Sequence, residues 1–268
     1  MSEFGLMCFI ALADWEELIP QAVRRALRFT APGTAVSVRE HPAEPGQSAL
    51  LISIDRQDFL AVVMPGPIPQ PDYDQAVQNS LFWPDAAAEM AGHRAFCVIT
   101  ALEAESAHGL VRAQAIALTR IAAAIAEALP SLGLYWRGAE GAVPPSRLLR
   151  APAEITAGKW PADIWIGYVF YGRDTREDPM IGVQTRGAAA YLGFEVEVPP
   201  MPVSPDDTKE PLRVLFAAMG YLIAMGANIR DGQHVQVKGE KRTEWRLYQG
   251  RGDGPGLAQL TALDGFGR

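Results

Sequence analysis

Only two cysteines and four histidines occur among 268 residues. Cys8 and Cys97 each lie inside an apolar run, "LMCFIAL" and "AFCVITAL", where a free thiol behaves as a small hydrophobe. With no C-x-x-C pair, neither a disulfide framework nor a cysteine-based zinc site is expected. His41, His93, His108 and His234 are scattered along the chain, and no metal or cofactor is expected. Basic clusters are equally scarce. None is longer than "KGEKR" at 238 to 242, and the formal charge is -7 with a pI of about 5.2. A general nucleic-acid binder carries a basic face, so nucleic acid is excluded as a partner class, whereas an acidic balance suits solubility and a basic protein partner. Also missing are a charged-then-apolar leader and any run of about 18 apolar residues. "MCFIALA" is short and uncharged upstream, a first strand instead of a signal peptide. The expectation is a soluble, cytoplasmic protein without a membrane partner. Finally, there is no G-x-S-x-G, no H-E-x-x-H, no P-loop and no G-x-G-x-x-G opening a helix.

What is present is globular. Hydrophobic residues make up 49% and charged ones 21%, ordinary proportions for a folded core, and the length suits one large domain or two units of about 100 to 150 residues. "GLMCFIAL" (5 to 12) reads as a strand covered on both faces. Asp14 then caps a helix, with Glu17 completing a capping box, and the helix runs through "WEELIPQAVRRALRF" unless Pro20 kinks it or delays its start. "TAVSVREH" alternates as a strand. Leu50 to Ile54 and Phe59 to Met64 form a hairpin around a turn at Asp55 to Asp58. Residues 72 to 91 form two short helices broken by Pro84, with Asp85 near the start of the second. "RAFCVITAL" follows as a buried strand.

Ser106 is positioned to cap a long helix whose larger apolar residues, Leu110, Leu118, Ile121, Ile125 and Leu129, keep a three-to-four spacing up to Pro130. Beyond it, "LGLYWRGA" is strand-like, "PPSRLLRAPAEITAG" a short helix or lid, and "DIWIGYVFYG" an aromatic, β-branched strand. "IGVQTRGAAAYLGFEVEVPP" supplies one or two strands, with "EVEV" alternating as an exposed edge does. Asp207 caps the last helix, Glu210 completes its box and Pro211 falls where no intrahelical donor is lost; Gly226 stops it. "QHVQVKG" and "TEWRLYQG" are terminal strands leading into a glycine-rich tail. Hairpins interrupt the alternation of strand and helix, so the fold class is α+β (mixed α/β). It is arranged either as two lobes, 1 to 130 and 131 to 268, or as one continuous mixed sheet flanked by helices.

Several groups invite a site reading. The pairs Glu103/Glu105 and Glu195/Glu197 read as solvated strand faces. The loop "YGRDTREDPM" holds Arg173, Asp174, Arg176, Glu177 and Asp178, a solvated hairpin or a recognition loop. Trp83, Tyr135, Trp136, Trp165 and Tyr168 are core aromatics, or anchors for a protein partner where they are exposed together, Tyr135 and Trp136 above all.

The segment "NSLFWPDA" raises the sharpest question. Asn79, Phe82, Trp83, Pro84, Asp85 and Ala86 precede His93 and a basic entry into "RAFCVITAL", with "PGPIPQP" and an acidic helix start ahead of them. In this order the chain resembles the bacterial domain-of-unknown-function 4261 family, and the resemblance extends more loosely to "GLYW" (133 to 136) and "WIGYVFYGR" (165 to 173). It implies no reaction; it implies an immunity or accessory protein of a bacterial toxin or secretion system. Pro84 most simply ends one helix and begins another, with Phe82 and Trp83 filling a corner against the next strand. The leading functional expectation is therefore a non-catalytic binding protein for another protein, a basic toxin or secreted effector. The competing one is an enzyme with its site between the lobes, using His93 with Asp85 or Glu89.

Overall fold

The computed structural model describes residues 6–105, 107–173, 179–203, 210–225, 234–236, 242–248 and 256–262. Its fold class is α+β, and the chain divides into two units, Met1–Gly167 and Tyr168–Arg268.

In chain order the first unit contains β1 (Met7–Leu12), α1 (Pro20–Thr30), β2 (Val36–His41), β3 (Ser48–Ile54), β4 (Gln57–Pro65), α2 (Gln70–Gln78), α3 (Ala86–Met90), β5 (Ala95–Ala101), α4 (His108–Ala128), β6 (Ser131–Trp136), β7 (Gly141–Val143), α5 (Pro145–Thr156) and α6 (Ala162–Trp165). Its seven strands form one antiparallel sheet in the order β2-β3-β4-β5-β1-β6-β7. β6 hydrogen-bonds to the central β1, so the boundary expected after residue 130 falls inside this unit, and the division comes at Gly167 instead.

Strand alternation sorts the core into two layers. Cys8, Ile10, Leu12, Leu50, Ile52, Cys97, Ile99 and Leu134 are fully buried on one face, beneath α1, α4 and α5. The middle helix, α4, packs between the other two. Its segment Gly109–Ala128 is long and apolar enough to cross a membrane, yet most of it is buried within the protein, as a core helix is. The apolar spacing holds from Leu118 onward, while Leu110 in the first turn is exposed. On the opposite face Phe9, Ala11, Phe96 and Tyr135 meet Ala76, Trp83, Ala86 and Met90 from α2 and α3.

Local chemistry explains the boundaries. The β3–β4 hairpin turns on Asp55 and Arg56 alone, both at positive φ (50° and 68°), the left-handed pair that matches the twist of adjoining strands; the turn is two residues shorter than expected. α1 begins at Pro20, with Ile19 at the N-cap, because proline lacks only a donor that the first turn leaves unpaired anyway. The Asp14–Glu17 capping box does not form. Asp14 instead accepts from the Trp15 backbone N–H (2.9 Å) and pairs with Arg94 (2.8 Å), an exposed contact worth little. In place of one aromatic strand, "DIWIGYVFYG" splits into α6 and a strand starting at Gly167. α6 is held to α5 by Arg147, whose guanidinium meets Asp163 at 2.5 and 2.7 Å and Glu154 at 2.8 Å.

The second unit carries β8 (Gly167–Arg173), β9 (Met180–Arg186), α7 (Ala188–Leu192), β10 (Phe194–Pro202), α8 (Glu210–Met225), β11 (His234–Gln236), β12 (Arg242–Tyr248) and β13 (Gly256–Ala262). They form a six-stranded sheet in the order β11-β12-β13-β10-β9-β8, with β10 and β13 parallel. The stretch read as a glycine-rich tail therefore includes a strand, β13, in the middle of the sheet. The caps expected at Ser106 and Asp207 and the stop at Gly226 lie outside the described residues.

Candidate interaction surface

The segment "NSLFWPDA" is a packing device. Asn79 ends α2, its N–H bonding back to the Gln75 carbonyl at 3.2 Å. The next residue, Ser80, donates its hydroxyl to the Ala76 carbonyl and accepts the Ala142 N–H at 3.0 Å, which ties β7 to the end of α2. Trp83 is buried against β6 at Gly133, where an added Cβ would lie 2.8 Å from the indole ring and 3.0 Å from the Met90 sulfur. Only glycine leaves room there. Phe82, expected beside Trp83 in the corner, is instead 45% exposed. Asp85 precedes α3 without a side-chain cap, and its carbonyl accepts from Glu89 N–H at 2.9 Å.

His93 is buried and both ring nitrogens are engaged. Its Nδ1 lies 2.7 Å from the Met90 carbonyl and its Nε2 accepts the Ile68 N–H at 2.9 Å. Because a carbonyl only accepts, the proton resides on Nδ1. The ring, stacked on Tyr73 at 5.1 Å, thus joins the start of α2 to the end of α3, and its one lone pair is already used. A general base would need that lone pair.

Tyr135 and Trp136, expected as partner anchors, are 0% and 1% exposed and belong to the core. Tyr135 stacks on Phe9 at 5.7 Å and donates to Gln75 Oε1 at 2.9 Å. Trp136 packs at 6.4 Å from Trp165, whose indole N–H donates to Thr119 at 2.8 Å. Tyr168 in the second unit is buried against Phe216 at 4.7 Å. Arg173 ends β8; its side chain, with Asp174, Arg176, Glu177 and Asp178, lies outside the described residues.

The two carboxylate pairs part company. Glu103 and Glu105 follow the end of β5, and Glu103 is exposed. Glu195 and Glu197 are only 8% and 9% exposed, because β10 is flanked by β9 and β13 and is no edge. Glu195 accepts from the Thr185 hydroxyl (2.5 Å) and from the N–H groups of Gly187 (2.9 Å), Ala188 and Ala189 (both 3.2 Å), which anchors the first turn of α7. Burial pushes its pKa up, against the pull of those four bonds. Glu197 accepts from the Tyr171 hydroxyl and from Gln259 at 2.6 Å, and burial together with that carboxylate pushes the Tyr171 pKa up. Among the described residues no group of three or more His, Cys, Asp or Glu is placed to hold a metal ion.

The surface feature that stands out lies on the first sheet. α2 and α3 pack over β6 and β7. Further along the same face, Leu51, Leu60 and Val62 are partly exposed, next to Val98 and Met64, which pack against the core beneath the helices. Register makes them neighbours. Leu51 pairs with Leu60, Ala49 with Val62, Val62 with Val98, and Val98 with Phe9 of the core beneath the helices. The solvated face of an antiparallel sheet is ordinarily polar, so a contiguous aliphatic row here marks a surface for contact.

At the end of the sheet, where β2 ends and β3 begins, is an open hollow of about 190 Å³ lined by Trp15, Glu17, Leu18, Glu40, His41 and Ala49 among others. Ala49 and its register partner His41 lie in line with Val62 and Val98, whereas Glu40 and Ser48 alternate to the face beneath α1, where Ser48 accepts the Leu18 N–H at 3.0 Å. The signal for this surface was legible in "ALLISIDRQDFLAVVM", which is apolar on both alternations of both strands. No protein-family model, curated protein or solved structure matches the chain, so the class reached is that of a two-unit α+β protein with an aliphatic sheet face.

Proposed function

We propose that this is a non-catalytic, cytoplasmic binding protein, an immunity or accessory protein that holds a toxin or secreted effector of a bacterial antagonism or secretion system. The observation that carries the binding role is the aliphatic row on β3 and β4. Leu51, Leu60 and Val62, on adjacent register lines of β3 and β4, contribute a favourable term of about 25 cal/mol per Å² when a partner covers them. The family resemblance supplies the immunity or accessory role.

The test uses the full chain as bait in extracts of its native host, compared with Leu60→Glu/Val62→Glu. A stoichiometric partner held by the wild type and lost from the double variant, together with rescue of cells expressing that partner, is the expected result. If no stoichiometric partner is captured, or the charged face captures it equally well, the proposal fails. Circular dichroism of the variant guards against misreading a folding defect.

A further inference from the structure

On the opposite face of the first sheet from the aliphatic row, the layer formed by α1, α4 and α5 is charged unlike the rest of the chain. The three helices hold seven arginines against two glutamates, with no lysine or aspartate, a net +5 within a chain of net charge -7. Arg147 is neutralised by Asp163 and Glu154, and Arg24 is engaged by the Val38 carbonyl. The other five, Arg25, Arg28, Arg112, Arg120 and Arg150, form no ion pair among the described residues. Helical periodicity turns them outward. Val23, Ala26 and Leu27 bury one side of α1, and Leu148, Ala151 and Ile155 one side of α5; at 3.6 residues per turn Arg25, Arg28 and Arg150 fall on the opposite sides. All three are exposed, as is Arg112. The Arg112 guanidinium lies 4.3 Å from the centre of the Trp160 ring, a contact that fixes its place without cancelling its charge.

Apolar side chains are exposed among these charges: Phe29 (73%) follows Arg28, and Leu149 (43%) precedes Arg150. Arginine with aromatic residues, and a scarcity of lysine and acids, is the composition of protein–protein interfaces. Nucleic acid or an anionic bilayer offers phosphates to the arginines, but either extends past this layer onto the acidic remainder of the chain. A short acidic segment ends where the patch ends. We infer that the outer surface of the α1–α4–α5 layer docks an acidic segment of a partner protein, with carboxylates on Arg25, Arg28, Arg112 and Arg150 and an apolar side chain on Phe29. Guanidinium and carboxylate match as paired donors and acceptors. The net charge of the chain favours a basic partner, yet charges beyond about 8 Å are largely screened at physiological salt, so the local sign governs this surface. The inference stands independently of binding at the aliphatic row.

Neighbouring helices pack about 8–10 Å apart, so an extended decapeptide, about 33 Å long, spans the layer. The probe is a fluorescein-labelled decapeptide of alternating glutamate and leucine, with a lysine–leucine peptide as its counterpart, titrated by anisotropy against the intact chain at 50 and 300 mM salt. Saturable binding of the glutamate peptide alone is expected, weaker at the higher salt. Arg25→Gln/Arg28→Gln/Arg150→Gln should weaken it at least tenfold and Phe29→Ser at least threefold, with circular dichroism confirming that each variant is folded. Arg39→Gln/Arg56→Gln/Arg94→Gln, which removes equal charge from outside the layer, should change it less than twofold. No binding by the wild type, unchanged binding by the Arg25/Arg28/Arg150 variant, or an equal loss in the Arg39/Arg56/Arg94 variant would each overturn the inference, the last by reducing it to net charge. Competition by a ten-base-pair DNA duplex or by phosphatidylserine vesicles at least as effective as the unlabelled peptide would also overturn it, in favour of a phosphate-bearing partner. Leu60→Glu/Val62→Glu should bind the peptide within threefold of the wild type; a tenfold loss there would place the peptide on the aliphatic row instead.

Discussion

At the residue scale the most instructive side chain is Glu195. An alternating Glu-Val-Glu-Val run reads identically whether the polar side faces water or a buried partner, so sequence alone favoured the solvated edge. What decides it is β10's central place in the sheet and four donors converging on one carboxylate. A titration consequence follows. Because the Glu195 pKa is raised above its ordinary 4.5 in the folded protein, the native state holds this proton more tightly than the unfolded chain. The associated stability is fully present below about pH 4.5 and is lost as pH rises through the folded value. Glu195→Gln has no such proton. The stability difference, wild type minus variant, measured by urea unfolding at half-unit steps from pH 4 to 7, should therefore fall with rising pH and then level. A difference that grows with pH would mean that the four hydrogen bonds outweigh burial and that the pKa is depressed.

At the element scale, the long and strongly patterned pieces were legible and the short ones were not. The β3–β4 hairpin, the break at Pro84 and the delayed start of α1 at Pro20 follow from local rules, since φ restriction and lost donors act within a few residues. β7 has three residues and no pattern to read; it exists because Ser80, 62 residues earlier in the chain, offers Ala142 a hydroxyl. The same device recurs at the other edge of the sheet, where Arg24 of α1 donates to the Val38 carbonyl of β2 at 2.6 Å. One backbone group is thus covered at each edge of the sheet. Ser80→Ala strands the Ala142 N–H in a buried setting. The expected cost is about 1–3 kcal/mol, read as a lower urea midpoint at unchanged slope and accompanied by faster amide exchange at Ala142. An unaltered midpoint would show that β7 is held by its pairing with β6 alone.

At the scale of the whole molecule, the misplacement of the boundary has a physical cause. The chain after α4 starts a strand, and a strand following a long helix and a proline reads as the opening of a new lobe. Whether it joins the old sheet depends on the register between Cys8–Ala11 and Gly133–Trp136, a non-local pairing that no local signal encodes. That pairing gives the first unit its centre: β1 is flanked by β5 and β6, and Tyr135, Trp136 and Leu134 on β6 contribute to both core layers. A fragment ending at residue 130 loses all three, along with Gly133 beneath Trp83, and leaves β1 as a bare hydrophobic edge. A fragment ending at Gly167 keeps the sheet, α5 and the Arg147 tether to α6. The 1–167 fragment should accordingly be monomeric with a single cooperative thermal transition by circular dichroism, and the 1–130 fragment should aggregate or melt without one. If both fragments melt cooperatively, β6 adds no more than an outer layer, and the core is centred on the hairpin of β3 and β4 instead.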